Sequence, residues 1–460
     1  MRAWVSKHLL YLPLQALRGE RVLRHLRDLE ASQWESREVL AERQALRLRQ
    51  TLLRAAREVP FYRDRFGAAG VDVAAVRGPE DLARLPILEK AELRAAGRRL
   101  VAAAAGGRFD RRRTSGSTGV PLLLLKPRDA SARIRAIWYR YLRWYGIDIG
   151  SRQARLLGHP VDRRARLRED LQDLILNKHR LDPVHLTPER MRGYFAALRR
   201  TPPTHFYGYP SAMEAFARFL IEDGADPRRC GAGVLVCTGE TLHAFQRDFL
   251  AASYGARVVN EYGCTEAGVI AFPCPEQGRL HVSVDNLVIE VLAGDRAARP
   301  GEPGEVVLTE LYSADAPLVR YRLGDVVVPD EARPCPCGRG LPTLARIDGR
   351  TSEMIRLGDG RLVHSEVFAY LADAFSTRHP GIRNFRVRQA QADDFRLELV
   401  AAETLGAEAL AAIAALARGV LGAGVRLEVR QVPRLERDSS GKLRYFVRDR
   451  AAAKEPEEVR

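Results

Sequence analysis

Five short segments carry residue types suited to phosphate and carboxylate chemistry. Thr114, Ser115, Gly116, Ser117, Thr118 and Gly119 read TSGSTG, followed by Val120 and Pro121. Glycines let a backbone approach closely, and hydroxyls with N–H groups suit a phosphate chain, although such a loop is also an ordinary flexible turn. It is not a Walker A loop, because no Gly-Lys-Ser/Thr closes it and strand-like PLLLLK follows. EYGCTEAG runs from Glu261 through Tyr262 and Gly263 to Gly268. An aromatic there can stack on a base, and Thr265 and Glu266 offer a hydroxyl and a carboxylate to phosphate oxygens and a magnesium ion. YRLGDVV sets Asp325 after a tight turn at Gly324, either as turn chemistry or as an acceptor for ribose hydroxyls. DGRTSEM carries Arg350, and SSGKLR carries Lys442 on a Gly-containing loop, a movable point charge.

These residues need a scaffold, and the pattern around them supplies one. Residues 233–262 read as strand GVLVC, turn TGE, helix LHAFQRDFLAASYG with Gly255 as C-cap, then strand ARVVNEYG. A strand–helix–strand unit makes the two strands parallel, and ligands bind beyond the carboxyl ends of such strands. Glu240 and Tyr262 therefore fall at the ligand edge by topology. Residues 128–145 predict a helix with Trp138, Tyr141 and Tyr145 along one face. Residues 20–57 predict a helical stretch with Val39, Leu46 and Leu53 at heptad spacing, stopped by Pro60. From about 70 to 240, helical and strand-like pieces alternate, as in an α/β layer. Residues 280–330 alternate like antiparallel strands, and a smaller mixed region follows Arg350. The fold class is α/β. Residues 1–349 form the large part, with a helical leader over 1–60 and a β-rich subdomain over about 275–349, and residues 350–460 form a small α+β domain.

Composition narrows the function classes. The 460 residues carry a net charge of +16, and only six of the 74 basic residues are lysine. Arginine is spread along the chain among Asp and Glu, unlike a nucleic-acid binder, which concentrates its charge on one face. A solvated surface is the plain reading, with polyanionic ligands or an anionic membrane as the others. Ordinary Gly and Pro usage excludes collagen and bulk disorder, and six cysteines are too few for a disulfide scaffold. No apolar run reaches about 18 residues, so no membrane span is expected. The leader makes a poor signal peptide, which points to the cytoplasm. Trp4, Leu9, Leu10, Leu12 and Leu17 can pack on the core or lie on a membrane face.

Taken together and in order, the five segments resemble the adenylate-forming superfamily of acyl-CoA synthetases. VPFYRDRF, LARLPILEK and CPCGR narrow the resemblance to the phenylacetate–CoA ligase family and its capsule-biosynthesis relatives. It covers about residues 36–446. The resemblance implies ATP, magnesium, a small carboxylic acid (an aryl acid favoured) and coenzyme A, in an AMP-forming acid–thiol ligase with a mobile C-terminal domain. It also leaves room for an acceptor other than coenzyme A. Thr114 to Gly119 would cradle the ATP phosphates. Tyr262 would stack on adenine, Thr265 would contact the α-phosphate and Glu266 would hold magnesium. Asp325 would bind the ribose with help from Arg350, and Lys442 would be the adenylation lysine. Glu240, Glu261 and Gly263 belong to the same nucleotide edge, and Trp138, Tyr207, Tyr209 and the region around Gly239 are candidate pocket walls.

Two departures and one addition go with the resemblance. The family hinge commonly reads Gly-Arg-x-Asp-Asp, whereas here Gly349 and Arg350 are followed by Thr351, Ser352 and Glu353. Ser352 stands where the hinge acid is expected, which bears on the thiol-transfer half. Cys264 fills the variable slot of Tyr-Gly-x-Thr-Glu and is assigned no chemistry. Cys274, His281, Cys335 and Cys337 lie in loops that the resemblance brings together, and zinc favours such a closed N and S set. The alternative is ordinary loop cysteines, with His281 merely starting a strand. Oligomeric state does not follow from the sequence, though a dimer is compatible with it.

Overall fold

The computed structural model describes residues 2–106, 108–113, 122–157, 163–183, 186–331, 333–350, 354–357, 362–364, 381–391, 393–421, 424–438 and 441–449. The TSGSTG loop, the hinge residues 351–353 and the tail from 450 lie outside them.

A π-helical segment, Val5–Tyr11, continues into α1 (Leu12–Leu17) and is followed by α2 (Val22–Ser32). Ser36 caps the start of α3 (Arg37–Glu58), its Oγ accepting from the Val39 amide. The helical stretch is thus two helices. Pro60 occupies the first turn of α4 (Pro60–Ala68), where its missing N–H costs nothing. Helix α5 (Lys90–Ala96) carries a capping box between Glu89 and Glu92. The residues at heptad spacing are not the buried face of α3: Val39, Leu46 and Leu53 are exposed, while Leu40, Leu48, Leu52 and Ala55 are buried. A single globular helix repeats at 3.6 residues, so its core stripe drifts away from a seven-residue ladder.

Strands β1 (Phe109–Arg113) and β2 (Leu123–Pro127) pair antiparallel, and α6 (Arg128–Arg143) follows. Next come β3 (Gln153–Leu156), α7 (Arg163–Ile175), β4 (Lys178–Arg180), α8 (Pro188–Arg200), β5 (His205–Gly208), α9 (Pro210–Glu222), β6 (Val234–Cys237), α10 (Ala244–Tyr254) and β7 (Arg257–Asn260). These strands form a five-stranded parallel sheet in the order β4-β3-β5-β6-β7. The expected strand–helix–strand unit is β6-α10-β7, and Gly255 closes its helix at φ +61°. One sheet face packs Phe206, Leu235 and Cys237 under α8, α9 and α10, while Val236, Val259 and Tyr207 meet α6 on the other.

The β-rich part is larger than expected and begins inside EYGCTEAG. It comprises β8 (Tyr262–Cys264), β9 (Gly268–Pro273), β10 (Leu280–Val282), β11 (Leu287–Ala293), β12 (Arg296–Ala297), β13 (Gly304–Glu310), β14 (Tyr321–Pro329) and β15 (Thr343–Arg350), in one antiparallel sheet. Asp325 does not follow a turn. It sits inside β14, where Gly324 takes φ +79° at a register shift against β13. Beyond it, β16 (Met354–Arg356) and β17 (Leu362–His364) pair antiparallel. The last unit has β18 (Ile382–Gln391), β19 (Asp394–Ala401), α11 (Ala407–Leu421), β20 (Arg426–Gln431) and β21 (Phe446–Arg448), sheet order β20-β19-β18-β21. It has its own core of Phe385, Val387, Phe395, Leu397 and Leu399.

Candidate active site

The parallel sheet reverses its strand order between β3 and β5, which opens a crevice at the carboxyl ends. Tyr209 follows β5, Thr238-Gly239-Glu240 follow β6, and Glu261 and Tyr262 follow β7. Three of the sequence segments meet here. The Tyr262 hydroxyl donates to Asp325 Oδ2 at 3.0 Å, both residues being buried. In the backbone register of β14 against β15, Arg350 stands opposite Asp325. Glu266 is buried in the β8–β9 turn, and its carboxylate lies 3.5 Å from the Tyr321 hydroxyl. Thr265 is exposed, and its carbonyl accepts from Arg112 Nη1 at 3.2 Å. Gly263 has no room for a side chain, since a Cβ would stand 2.9 Å from the Gly268 carbonyl oxygen.

Lys442 reaches this edge from the C-terminal unit. Its Nζ is 5.7 Å from the centre of the Tyr209 ring and 3.5 Å from where a Cβ on Gly239 would stand. Gly239 holds φ +76°, and that Cβ would also meet Tyr209 Cε1 at 3.0 Å. Glycine is therefore required both by backbone conformation and by the passage left for the lysine.

Glu240 faces the approaching loop. Its carboxylate accepts from the Ser211 amide and hydroxyl at 3.2 and 3.0 Å, and from the Leu443 amide at 2.7 Å. Arg437 donates to the Ser211 hydroxyl and carbonyl at 2.7 and 2.9 Å. Gln246 donates to the Tyr445 hydroxyl at 2.7 Å, and the His243 ring meets Tyr445 edge-on. Glu240 thus anchors the lysine loop. Sequence reasoning missed Ser211, Arg437, Gln246 and Tyr445. The only signal was their position, just beyond a strand or beside SSGKLR.

Glu261 is caged by three donors: Trp138 Nε1 at 2.8 Å, the Tyr207 hydroxyl at 2.8 Å and the Thr238 hydroxyl at 3.0 Å. Burial pushes the carboxyls of Glu240 and Glu261 up, while Arg437 pulls the first down and the three donors the second. Trp138 and Tyr207 meet edge to face, so two of the expected pocket walls join this cage.

A second cluster lies where the β9–β10 turn meets the β14–β15 connection, at the ends of interior strands of the antiparallel sheet. Cys274, His281, Cys335 and Cys337 are buried, and their ligand atoms lie within 4.8 Å of one another. Cys274 Sγ and Cys335 Sγ are 3.9 Å apart. Zinc–sulfur bonds of about 2.3 Å at a tetrahedral angle put two sulfurs about 3.8 Å apart. His281 Nδ1 donates to the Leu341 carbonyl at 2.9 Å, which leaves Nε2 as a lone pair facing Cys337 Sγ at 3.3 Å. The set fits a zinc ion in both spacing and tautomer.

Comparison with known proteins places this geometry. No family model matches the chain. It is 25% identical to a phenylacetate-coenzyme A ligase of Thermus thermophilus over 367 residues, 73% of this chain and 76% of that one. It is 22% identical to Protein CapK of Staphylococcus aureus over 251 residues, about half of either chain (53%). Among solved structures, 2-hydroxyisobutyryl-CoA ligase in its postadenylation state with 2-HIB-AMP superposes with a TM-score of 0.72, covering 88% of this chain and 89% of that one at 24% identity. The same enzyme with 2-HIB-AMP and CoA in the thioesterification state gives 0.60 at 25% identity, with 89% of each chain covered. Of these two structures, the first superposes more fully on the present chain.

Proposed function

We infer that this chain, which by fold and sequence likeness belongs to the adenylate-forming superfamily, activates a small carboxylic acid with ATP and passes the acyl group to coenzyme A. The observation that carries the reading is the seat of Lys442 over Gly239 and Tyr209, beyond a strand whose neighbour β7 leads into the Tyr262–Asp325 pair. A carboxylate is a weak nucleophile and repels a triphosphate, so charge must be offset where the α-phosphate becomes pentacoordinate. Lys442 supplies that positive charge. Asp325 accepts from the ribose hydroxyls, Tyr262 stacks on the adenine, Thr265 contacts the α-phosphate, and Arg350 steadies the ribose. Residues 114–119 hold the phosphates. Magnesium held by Glu266 would neutralise the departing pyrophosphate.

The acyl-adenylate that results is an activated anhydride, and a thiol attacks its carbonyl carbon with AMP leaving. Lys442 serves the first step only. Residues 350–460 therefore act as a mobile domain that releases the lysine and turns on residues 1–349 between the two steps. Cys274, His281, Cys335 and Cys337 would hold zinc with four protein ligands, and its role would be to join two loops.

The likeness to CapK and the serine at position 352 favour a second reading, in which the acyl group goes to an acceptor other than coenzyme A, as in capsule or exopolysaccharide assembly. One screen separates the two. Acid-dependent ATP–pyrophosphate exchange is expected for a small panel of carboxylates, with coenzyme A needed only for AMP release. Exchange without any coenzyme A-dependent turnover selects the second reading, and absence of exchange with every acid overturns both.

A further inference from the structure

Two features of the described residues are absorbed by none of this chemistry, and they adjoin. The first is a cavity of about 480 Å³ lined by Arg18, Arg111, Arg128, Arg135 and Arg168, with Phe109, Asp110 and Gln172. Its volume suits a small ligand. Asp110 is the one acid among those wall residues, and with the buried Glu20, which is not one of them, it engages Arg18, Arg128 and Arg135. Arg111 is exposed, and the Nε of Arg135 is buried without a hydrogen-bond partner among the described residues. Five guanidiniums against two carboxylates leave an excess of positive charge and of donors, which suits a phosphate.

The second feature is apolar. Leu167, Leu171 and Leu174 are 62%, 58% and 66% exposed, a stripe at helical spacing along α7. Beside it, Ser6 Oγ of the leader donates to the Ile175 carbonyl at the end of α7. The leader adds Trp4 and Leu17, 62% and 84% exposed. The two features share a lip. Leu17 precedes Arg18, Leu167 precedes Arg168, and Leu171 precedes Gln172, so three exposed leucines each adjoin a residue of the cavity wall.

We propose that the leader and α7 form a docking surface for an anionic lipid bilayer, with the arginine-lined cavity receiving a lipid phosphate at its rim. Exposed Trp and Leu beside clustered arginine is the pattern of an interfacial helix, in which the apolar side chains enter the acyl boundary and the basic ones meet the headgroups. A second copy of the chain is a poorer occupant. A twofold contact sets a patch against itself, which would bring the arginine cavity up against another. The net charge of +16 acts in the same direction, towards an anionic surface.

Co-sedimentation with vesicles tests this. The full chain is expected to bind phosphatidylcholine vesicles carrying about 30% phosphatidylglycerol, and not pure phosphatidylcholine. Leu171→Glu with Leu174→Glu should lower that binding at least about tenfold while leaving thermal melting and ATP–pyrophosphate exchange unchanged. Arg111→Ala with Arg168→Ala should lower it roughly tenfold, whereas Arg199→Ala, an exposed arginine on α8, should change it less than about twofold. Equal binding to both vesicle types, no binding to either, or an equal loss in Arg199→Ala overturns the proposal. So does a dimer in light scattering that the paired leucine variant dissociates, since a second copy then covers the patch. Vesicle binding is read apart from adenylation, so its failure leaves the catalytic reading standing.

Discussion

At the residue scale the site turns on Gly239. Its left-handed backbone and the 3.0 Å approach of Tyr209 leave no space for a methyl group, and Lys442 lies against the same spot. Gly239→Ala should cost about 1–3 kcal/mol of stability from backbone strain. It should also slow adenylation, by pushing the lysine off its seat. Lys442→Ala should slow adenylation by about 10² or more, the scale of one lost electrostatic stabiliser. Thioester formation from supplied acyl-adenylate should be much less affected, and an equal fall in both steps would show that the lysine has another role. The Tyr262 hydroxyl, bonded to Asp325, ties the proposed base and ribose contacts to each other. Asp325→Ala should therefore weaken ATP binding by about 1–3 kcal/mol, measured by calorimetry. Unchanged affinity would remove Asp325 from the nucleotide site.

At the element scale the antiparallel sheet is closed by the four metal-type ligands. Cys274 and His281 flank the β9–β10 turn, while Cys335 and Cys337 lie between β14 and β15. Protein purified without added metal should contain about one zinc per chain, and Cys335→Ser or a strong chelator should lower the thermal midpoint by at least about 5 °C. Substoichiometric metal with an unchanged midpoint would leave these as packed thiols. The parallel sheet carries a pH dependence of its own. His205, buried on β5 and bonded to Gln153 Nε2, is held down to about 3 by burial, with Lys178 adding to the effect. A depressed histidine is neutral in the fold while the unfolded chain takes a proton, so this stability is present above about pH 6.5 and lost as the pH falls towards 3. Between pH 6.5 and 5 the native chain should lose about 2 kcal/mol more than His205→Gln in urea titrations. Parallel losses would show that the imidazole protonates within the fold.

At the scale of the whole molecule, the described contacts of the C-terminal unit with α9 and α10 include several polar ones, beside the packing of Phe245 and His243 on it. Leu443 N, Arg437 and the Tyr445 hydroxyl bond to Glu240, Ser211 and Gln246. Polar contacts of this kind are what the proposed turning of the C-terminal unit between the two half-reactions would have to break. Arg437→Ala removes both charged hydrogen bonds to Ser211, with a third to the Gly441 carbonyl, and should slow adenylation roughly tenfold, leaving the thioester step equal or faster. If both half-reactions slowed alike, the contact would be structural rather than a latch.

The local chemistry was legible in the chain alone. Strand–helix–strand periodicity identified β6, α10 and β7, which placed Glu240 and Tyr262 just beyond the two strands, and the order of five short segments pointed to the superfamily. These are properties of near neighbours, and a linear pattern records them. What the tertiary structure decided lies between distant parts of the chain. Asp325 became a strand residue because β13 and β15 flank it, and α3 turned Leu48 and Leu52 inward because the sheet beneath it sets the buried face. Glu240 anchors the loop of Lys442, Glu261 closes a cage with Trp138 and Tyr207, and the leader and α7 share one arginine-lined cavity. Each of these pairs residues tens to hundreds of positions apart, and which partners meet depends on how layers pack rather than on any periodicity along the chain.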